Sequence, residues 1–133
     1  MSTSVDETIV LPDGRQILVE IDSSNTAKLL AGQYALLNGL CKADRAQTLF
    51  LVVHYYIDKM NKDKPYTAHR SIKNFYAIQS FAPGPNWLPY KSINMDEMRK
   101  LIAESVDIAD FADQIWPAQA ALVSPTSLVK VSA

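Results

Sequence analysis

The chain has 133 residues, 48% of them hydrophobic, and a formal net charge of −1 at pH 7. That size is typical of one domain that buries its core without metal or disulfide crosslinks. Cys41 is the only cysteine, which excludes an intrachain disulfide and a cysteine-based zinc site.

The longest uninterrupted apolar run has five residues, 49–53, whereas a membrane-spanning helix needs about 20. The first eight residues have neither the cationic nor the apolar region of a secretory signal. We therefore expect a cytoplasmic protein that does not enter a membrane.

Residues 8–21 contain two arms rich in β-forming residues around Pro12-Asp13-Gly14. Proline and glycine in this order are typical of a tight turn, so the pattern predicts a β-hairpin. Because an isolated hairpin is marginally stable in water, we expect it to pack on helices or to pair with another strand. The extended segment 127–131 is the candidate partner.

Helical spacing of apolar residues begins near residue 25. A first helix is predicted to end at Asn38-Gly39. A second is predicted to begin near residues 42–44 and to run through the core to Met60, because its apolar residues recur in steps of three and four. Pro65 closes the next turn, and a third helix is predicted to end by residue 81. The predicted N-cap of this third helix is Thr67. The predicted inner face of the first helix carries Leu29, Leu30, Gln33, Tyr34, Leu36 and Leu37.

The segment 82–90 holds three prolines and a glycine, which predicts an irregular connector. Asn94 followed by Glu97 resembles a capping box that opens a fourth helix. Asp107 can cap a fifth helix that ends before Pro117. The residues predicted on the inner faces of these two helices are Met98, Leu101, Ile102, Val106, Ile108, Phe111 and Ile115.

These elements together predict the α+β class, with an N-terminal β-hairpin packed on a bundle of about five helices and an extended C-terminal tail that adds a strand. We expect one domain over residues 1–133. Its parts are a hairpin (1–23), a helical part with a basic corner (24–81), a Pro/Trp loop (82–92), a second helical part (93–123) and the tail (124–133).

Charge is distributed unevenly along the chain. Residues 1–40 carry net −3, residues 41–80 net +4 and residues 81–133 net −2, from counts of Lys and Arg against Asp and Glu. A basic segment with interleaved aromatic residues favours contact with phosphates or with an acidic partner surface. The residues predicted to make this contact are Lys59, Lys62, Lys64, Tyr66, His69, Arg70 and Lys73; a solvated loop is the alternative.

Two further segments are predicted partner anchors. Trp87 and Tyr90 lie in the Pro/Trp loop, where aromatic residues can dock on a partner, although for Trp87 a lid folded back on the core is the favoured interpretation. The tail alternates small and apolar residues, a pattern suited to adding a strand to a neighbouring sheet. Its predicted contacts are Leu128, Val129 and Val131.

No enzyme, metal site or cofactor is expected. Phosphate-binding glycine loops, nucleophile elbows and zinc-protease motifs are absent from the sequence. We interpret His54 as a core histidine hydrogen-bonded to a carbonyl and Cys41 as a buried residue at a helix junction. The acidic series, interpreted as helix caps and a solvated face, comprises Glu104, Asp107, Asp110 and Asp113.

The resulting hypothesis is a non-enzymatic structural subunit of a larger complex, such as a virion assembled in the cytoplasm. It associates with itself or another protein through its termini and complementary charged faces. The alternative is a small nucleic-acid-binding accessory protein that uses residues 59–76. An enzyme with an unrecognised pocket is the third hypothesis.

Overall fold

A computed structural model describes residues 4–22, 27–55, 69–81 and 87–117. For residues 27, 28, 69–71 and 81 it describes the backbone alone. Within these ranges the chain forms one four-stranded sheet, with strands β1 (Glu7–Val10), β2 (Gln16–Asp22), β3 (Thr48–His54) and β4 (Tyr90–Asn94) in that order. Strands β1 and β2 are antiparallel, whereas β3 runs parallel to both β2 and β4.

The described ranges contain four α-helices, one fewer than predicted, and the mixture of helices and strands is confirmed. These helices are α1 (Ala27–Leu40), α2 (His69–Phe81), α3 (Met95–Glu104) and α4 (Ile108–Ile115). They correspond to the first, third, fourth and fifth helices of the prediction. No helix in the described residues is long and apolar enough to cross a membrane.

The predicted N-terminal hairpin is confirmed. Strands β1 and β2 flank a turn in which Gly14 has φ +93°, a value that favours glycine because it has no Cβ. The amide of Leu11 donates to the carbonyl of Arg15 at 2.8 Å and closes the turn. Through β2 the hairpin joins the main sheet, whereas the segment proposed to pair with it, 127–131, lies outside the described residues.

The predicted second helix is wrong, because its centre is strand β3. All seven residues of β3 are buried, with Phe50 and Val52 facing one layer and Leu49, Leu51 and Val53 the other. A strand covered on both faces is apolar without alternation, so its spacing imitates that of a buried helix. Asp44 does cap a helix, but only the 3-10 turn Arg45–Gln47.

Helices cover both faces of the sheet. Helices α1 and α2 lie on one face, where Leu30, Tyr34, Leu37 and Phe75 pack on β2 and β3. Helix α4 lies on the other face through Phe111, Ala112 and Ile115, with α3 beside it. The hairpin therefore belongs to a sheet between two helical layers, and the helices do not form a separate bundle.

The helix caps follow the sequence signals, but not every predicted inner-face residue is buried. Asn94 and Glu97 form the predicted capping box of α3, and Asp107 caps α4 by accepting from the amide of Asp110. The residues predicted to be internal that are in fact exposed are Leu29 (72%), Leu36 (38%), Ile102 (58%), Val106 (90%) and Ile108 (41%). These helices carry more apolar residues than one buried face can hold.

Candidate functional site

The predicted basic contact surface is described only in part. Lys59, Lys62, Lys64 and Tyr66 lie outside the described residues, and of His69 and Arg70 only the backbone is described, in the first turn of α2. Lys73 is exposed on the same helix. Strand β3 replaces the centre of the predicted second helix, at whose end the basic corner was placed. Phosphate or acidic-partner contact by this segment stays a prediction.

The predicted anchors Trp87 and Tyr90 both contribute to an aromatic cluster above the sheet. The Trp87 ring stacks on Tyr34 with 5.8 Å between centroids, and Tyr90 meets the rings of Tyr34 and Phe75 edge-on at 5.5 and 5.0 Å. Burial raises the pKa of Tyr90 to about 12, which keeps its phenol neutral. Both residues are half-buried, as in the core-lid interpretation of Trp87. Leu128, Val129 and Val131 lie outside the described residues.

A buried amide fixes the segment that carries Trp87. The side-chain oxygen of Asn38 accepts from the amide of Leu88 at 2.7 Å and from the Arg45 guanidinium at 2.9 Å. The Tyr34 hydroxyl donates to the carbonyl of Leu88 at 2.6 Å and accepts from Gln79 at 3.0 Å. Residue 88 is thus bound to α1 through both of its backbone polar groups.

The acidic series is spread over separate contacts. Asp107 and Asp110 act at the start of α4, whereas Asp113 binds Arg15 of the hairpin turn at 2.8 Å. Arg15 also lies over the Trp116 ring, 5.3 Å from its centroid. In the part of the chain that the structure describes, no group of three or more His, Cys, Asp and Glu residues is arranged to hold a metal ion.

The outward side of α1 is an apolar surface. The inward side is buried through Leu30, Tyr34 and Leu37. The outward side, hereafter the α1 face, consists of Leu29, Gly32, Ala35, Leu36, Gly39 and Leu40, all exposed. No charged residue occurs between Leu29 and Leu40, which is unusual for a solvent-facing helix surface.

Three polar side chains lie together at the carboxyl ends of the parallel strands. His54, the last residue of β3, is buried with 0% of its side chain exposed. Its Nδ1 lies 3.0 Å from Oδ2 of Asp22, the last residue of β2, and its Nε2 lies 2.8 Å from Oγ of Ser92 in β4. Asp22 and Ser92 are also buried. His54 was expected in the core, but with a carbonyl partner rather than these two side chains.

The protonation state of His54 follows from its surroundings. Burial lowers the pKa of His54 from the ordinary value of 6.5, and the hydrogen bond and charge of Asp22 oppose this shift without reversing it. The imidazole is therefore neutral at pH 7. In the neutral ring, Nδ1–H donates to the carboxylate and Nε2 accepts from the Ser92 hydroxyl, so each polar atom has a matching partner.

This pKa shift predicts acid sensitivity. The unfolded chain takes up the His54 proton near pH 6.5 and the folded chain only at lower pH, so the free energy of unfolding falls as pH decreases below 6.5. Urea unfolding at pH 7.5 and 5.5 measures this loss, and we expect His54→Gln to reduce it. The matched control is His69→Gln, which replaces the other histidine and should keep the full loss. An equal loss in His54→Gln and the wild type would contradict the prediction.

Comparisons with protein-family models, with curated proteins and with solved structures each find no match for this chain.

Proposed function

We propose that this chain is an assembly subunit that pairs with a second copy of itself through the α1 face. One observation carries the proposal: α1 is apolar on both sides, although only one side packs on the sheet. Leu29 is 72% exposed, and Leu36 and Leu40 are 38% and 40% exposed. A contiguous exposed apolar patch is typical of a protein–protein contact.

The α1 face fits a second copy in an antiparallel arrangement. Because the face has no charge between residues 29 and 40, pairing it with itself buries no unpaired ion. An antiparallel pair also places the N-terminal end of each helix, which carries a partial positive charge, beside the C-terminal end of its partner, which carries a partial negative charge.

The two glycines of the α1 face, Gly32 and Gly39, leave gaps on its surface because they have no side chain. An added Cβ at Gly32 or at Gly39 would meet nothing within 4 Å, so both positions are open to an approaching side chain. Leucines from a partner helix could therefore pack into these gaps as ridges into grooves. A two-fold axis would repeat each such contact, as in most homodimers.

The size of the α1 face sets the strength of the pairing. A helix of 14 residues is roughly 21 Å long, and one of its faces covers only a few hundred Å², against about 800 Å² per partner in a stable interface. We expect a dimer that dissociates on dilution. Growth into a larger complex, such as a virion, would need further contacts, for which the termini and the charged segments are the proposed surfaces.

The test is a concentration series by light scattering on the full chain and on charged variants of the α1 face. We expect the wild-type mass to rise towards the dimer with concentration, at high as well as low salt. Leu29→Glu/Leu40→Glu should stay monomeric. Leu29→Glu/Leu40→Lys removes the same apolar area but pairs opposite charges across an antiparallel contact, so it should associate more strongly than the doubly acidic variant.

The matched control is Ile102→Glu, which adds a charge at a similarly exposed apolar residue on the other side of the sheet. It should associate as the wild type does, and thermal melting of every variant checks that the fold is kept. A wild-type chain that stays monomeric at all concentrations would contradict the proposal. So would association that is lost in Ile102→Glu but kept in the doubly acidic variant.

A further inference from the structure

The cluster Asp22–His54–Ser92 has an arrangement that its role in packing does not require. The three side chains come from three adjacent parallel strands. The carboxylate lies at Nδ1 of the imidazole and the hydroxyl at Nε2, 3.0 and 2.8 Å away. In acyl-transfer enzymes the same order lets a histidine take the proton of a serine while a carboxylate holds the ring in the required tautomer.

The location of the cluster fits a reaction site. Asp22 and His54 end their strands, and Ser92 lies two residues before the end of β4, so the cluster lies at the carboxyl edge of the parallel part of the sheet. Ligands of open α/β sheets bind at this edge.

We propose that Ser92 is a nucleophile for acyl transfer, with His54 as its general base and Asp22 as the positioning residue of the imidazole. The substrate class is a small ester or thioester, because Ser92 is only 6% exposed and a bulky acyl group would not reach its hydroxyl. This inference does not rest on self-association, and it departs from the sequence-based expectation that the chain is not an enzyme.

The reaction balances with the groups present. Oγ of Ser92 attacks the carbonyl carbon while its proton passes to Nε2 of His54, and collapse of the tetrahedral intermediate breaks the bond to the leaving alcohol or thiol. His54 returns the proton to that leaving group. Water then attacks the acyl-serine with Nε2 as base. The carboxylic acid departs, and Ser92 regains its proton from His54.

The test uses the full chain and methanesulfonyl fluoride, a small reagent that sulfonylates activated serines with loss of fluoride. We expect one adduct per chain by intact mass, and peptide mapping should place it on Ser92. Ser92→Ala should show no adduct. Ser80→Ala, which removes an exposed serine bonded to the carbonyl of Tyr76, should react as the wild type does.

Variants at the other two positions separate chemistry from packing. We expect His54→Gln to slow the labelling by roughly 100-fold or more, the usual contribution of a general base. Asp22→Asn removes the charge that raises the pKa of His54, so the pH profile of labelling should move to lower pH as well as losing amplitude. Melting curves confirm that each variant is folded.

Two results would overturn the proposal, and both come from the wild-type chain, so misfolding of a variant cannot obscure them. The first is a folded wild type that gives no adduct after prolonged reaction. The second is an adduct that maps to a serine other than Ser92. Neither result bears on whether the chain pairs through α1.

Discussion

Replacing Phe75 by alanine is expected to lower the free energy of unfolding by about 3–5 kcal/mol, the usual cost of deleting a fully buried aromatic ring. Phe75 is 0% exposed and lies at the centre of the aromatic cluster. Its ring is 4.8 Å from Tyr34, 5.9 Å from Phe50 and 5.0 Å from Tyr90. It thus joins α2 to α1, β3 and β4, and its loss leaves a cavity between all four elements.

Urea unfolding followed by circular dichroism measures this effect. Tyr76→Ala is the matched control, because Tyr76 is the next residue of α2 but only half-buried; we expect it to cost about 1 kcal/mol, as for a typical single substitution. Similar losses in the two variants would show that α2 is not held by Phe75. In that case other contacts of α2 would hold the helix on the sheet.

Where the sequence predicts the fold correctly, the signal is local. The hairpin turn depends on Pro12-Asp13-Gly14, and the structure gives Gly14 the positive φ that this turn uses. The start of α3 depends on Asn94 and Glu97, which lie three residues apart and bond to each other's backbone. Such contacts form between near neighbours in the chain, so their residue types can be recognised without knowing the rest of the fold.

Strand β3 could not be identified in the same way, because its environment is not local. A strand between two parallel neighbours, with helices on both sides, is apolar along most of its length, and the seven residues of β3 are all buried. The β-branched residues Thr48, Val52 and Val53 favour a strand, whereas the spacing continues into residues 55–60 as in a helix. The predicted basic corner was placed at the end of this segment on the assumption that the segment is a helix.

The cluster Asp22–His54–Ser92 was missed for the same reason. His54 is 32 residues from Asp22 and 38 from Ser92, so nothing in the local spacing connects them. A signal was present, since Asp22 and His54 are each the polar last residue of a strand rich in apolar residues. Polar residues at the ends of two parallel strands meet at one edge of a sheet, but this inference requires β3 to be recognised as a strand.

Asn38→Leu is expected to cost about 2–4 kcal/mol, because it leaves a buried hydrogen-bond donor without its partner. Leu88 is 0% exposed, and its amide bonds to the side-chain oxygen of Asn38 at 2.7 Å. A leucine of similar size offers no acceptor, and it also removes the bond from Asn38 Nδ2 to the carbonyl of Tyr34 at 2.8 Å. Urea unfolding measures the loss.

The control for this substitution is Arg45→Met, which removes the guanidinium from the same oxygen but leaves the buried amide of Leu88 satisfied. Because Arg45 is only half-buried and water can replace its bonds, we expect a loss of about 1 kcal/mol. A larger loss in Arg45→Met than in Asn38→Leu would show that the guanidinium, rather than the amide of Leu88, is the group that Asn38 stabilises.

Asn38→Leu also tests how firmly the predicted anchor Trp87 is held, because Asn38 binds Leu88, the residue next to Trp87. In a Trp116→Phe background Trp87 is the remaining tryptophan, so its fluorescence reports on this segment alone. If Asn38 holds the indole against Tyr34, Asn38→Leu should shift the emission of the folded protein to longer wavelength as the ring gains water. Unchanged emission would mean that the stacking on Tyr34 holds Trp87 without help from the backbone of Leu88.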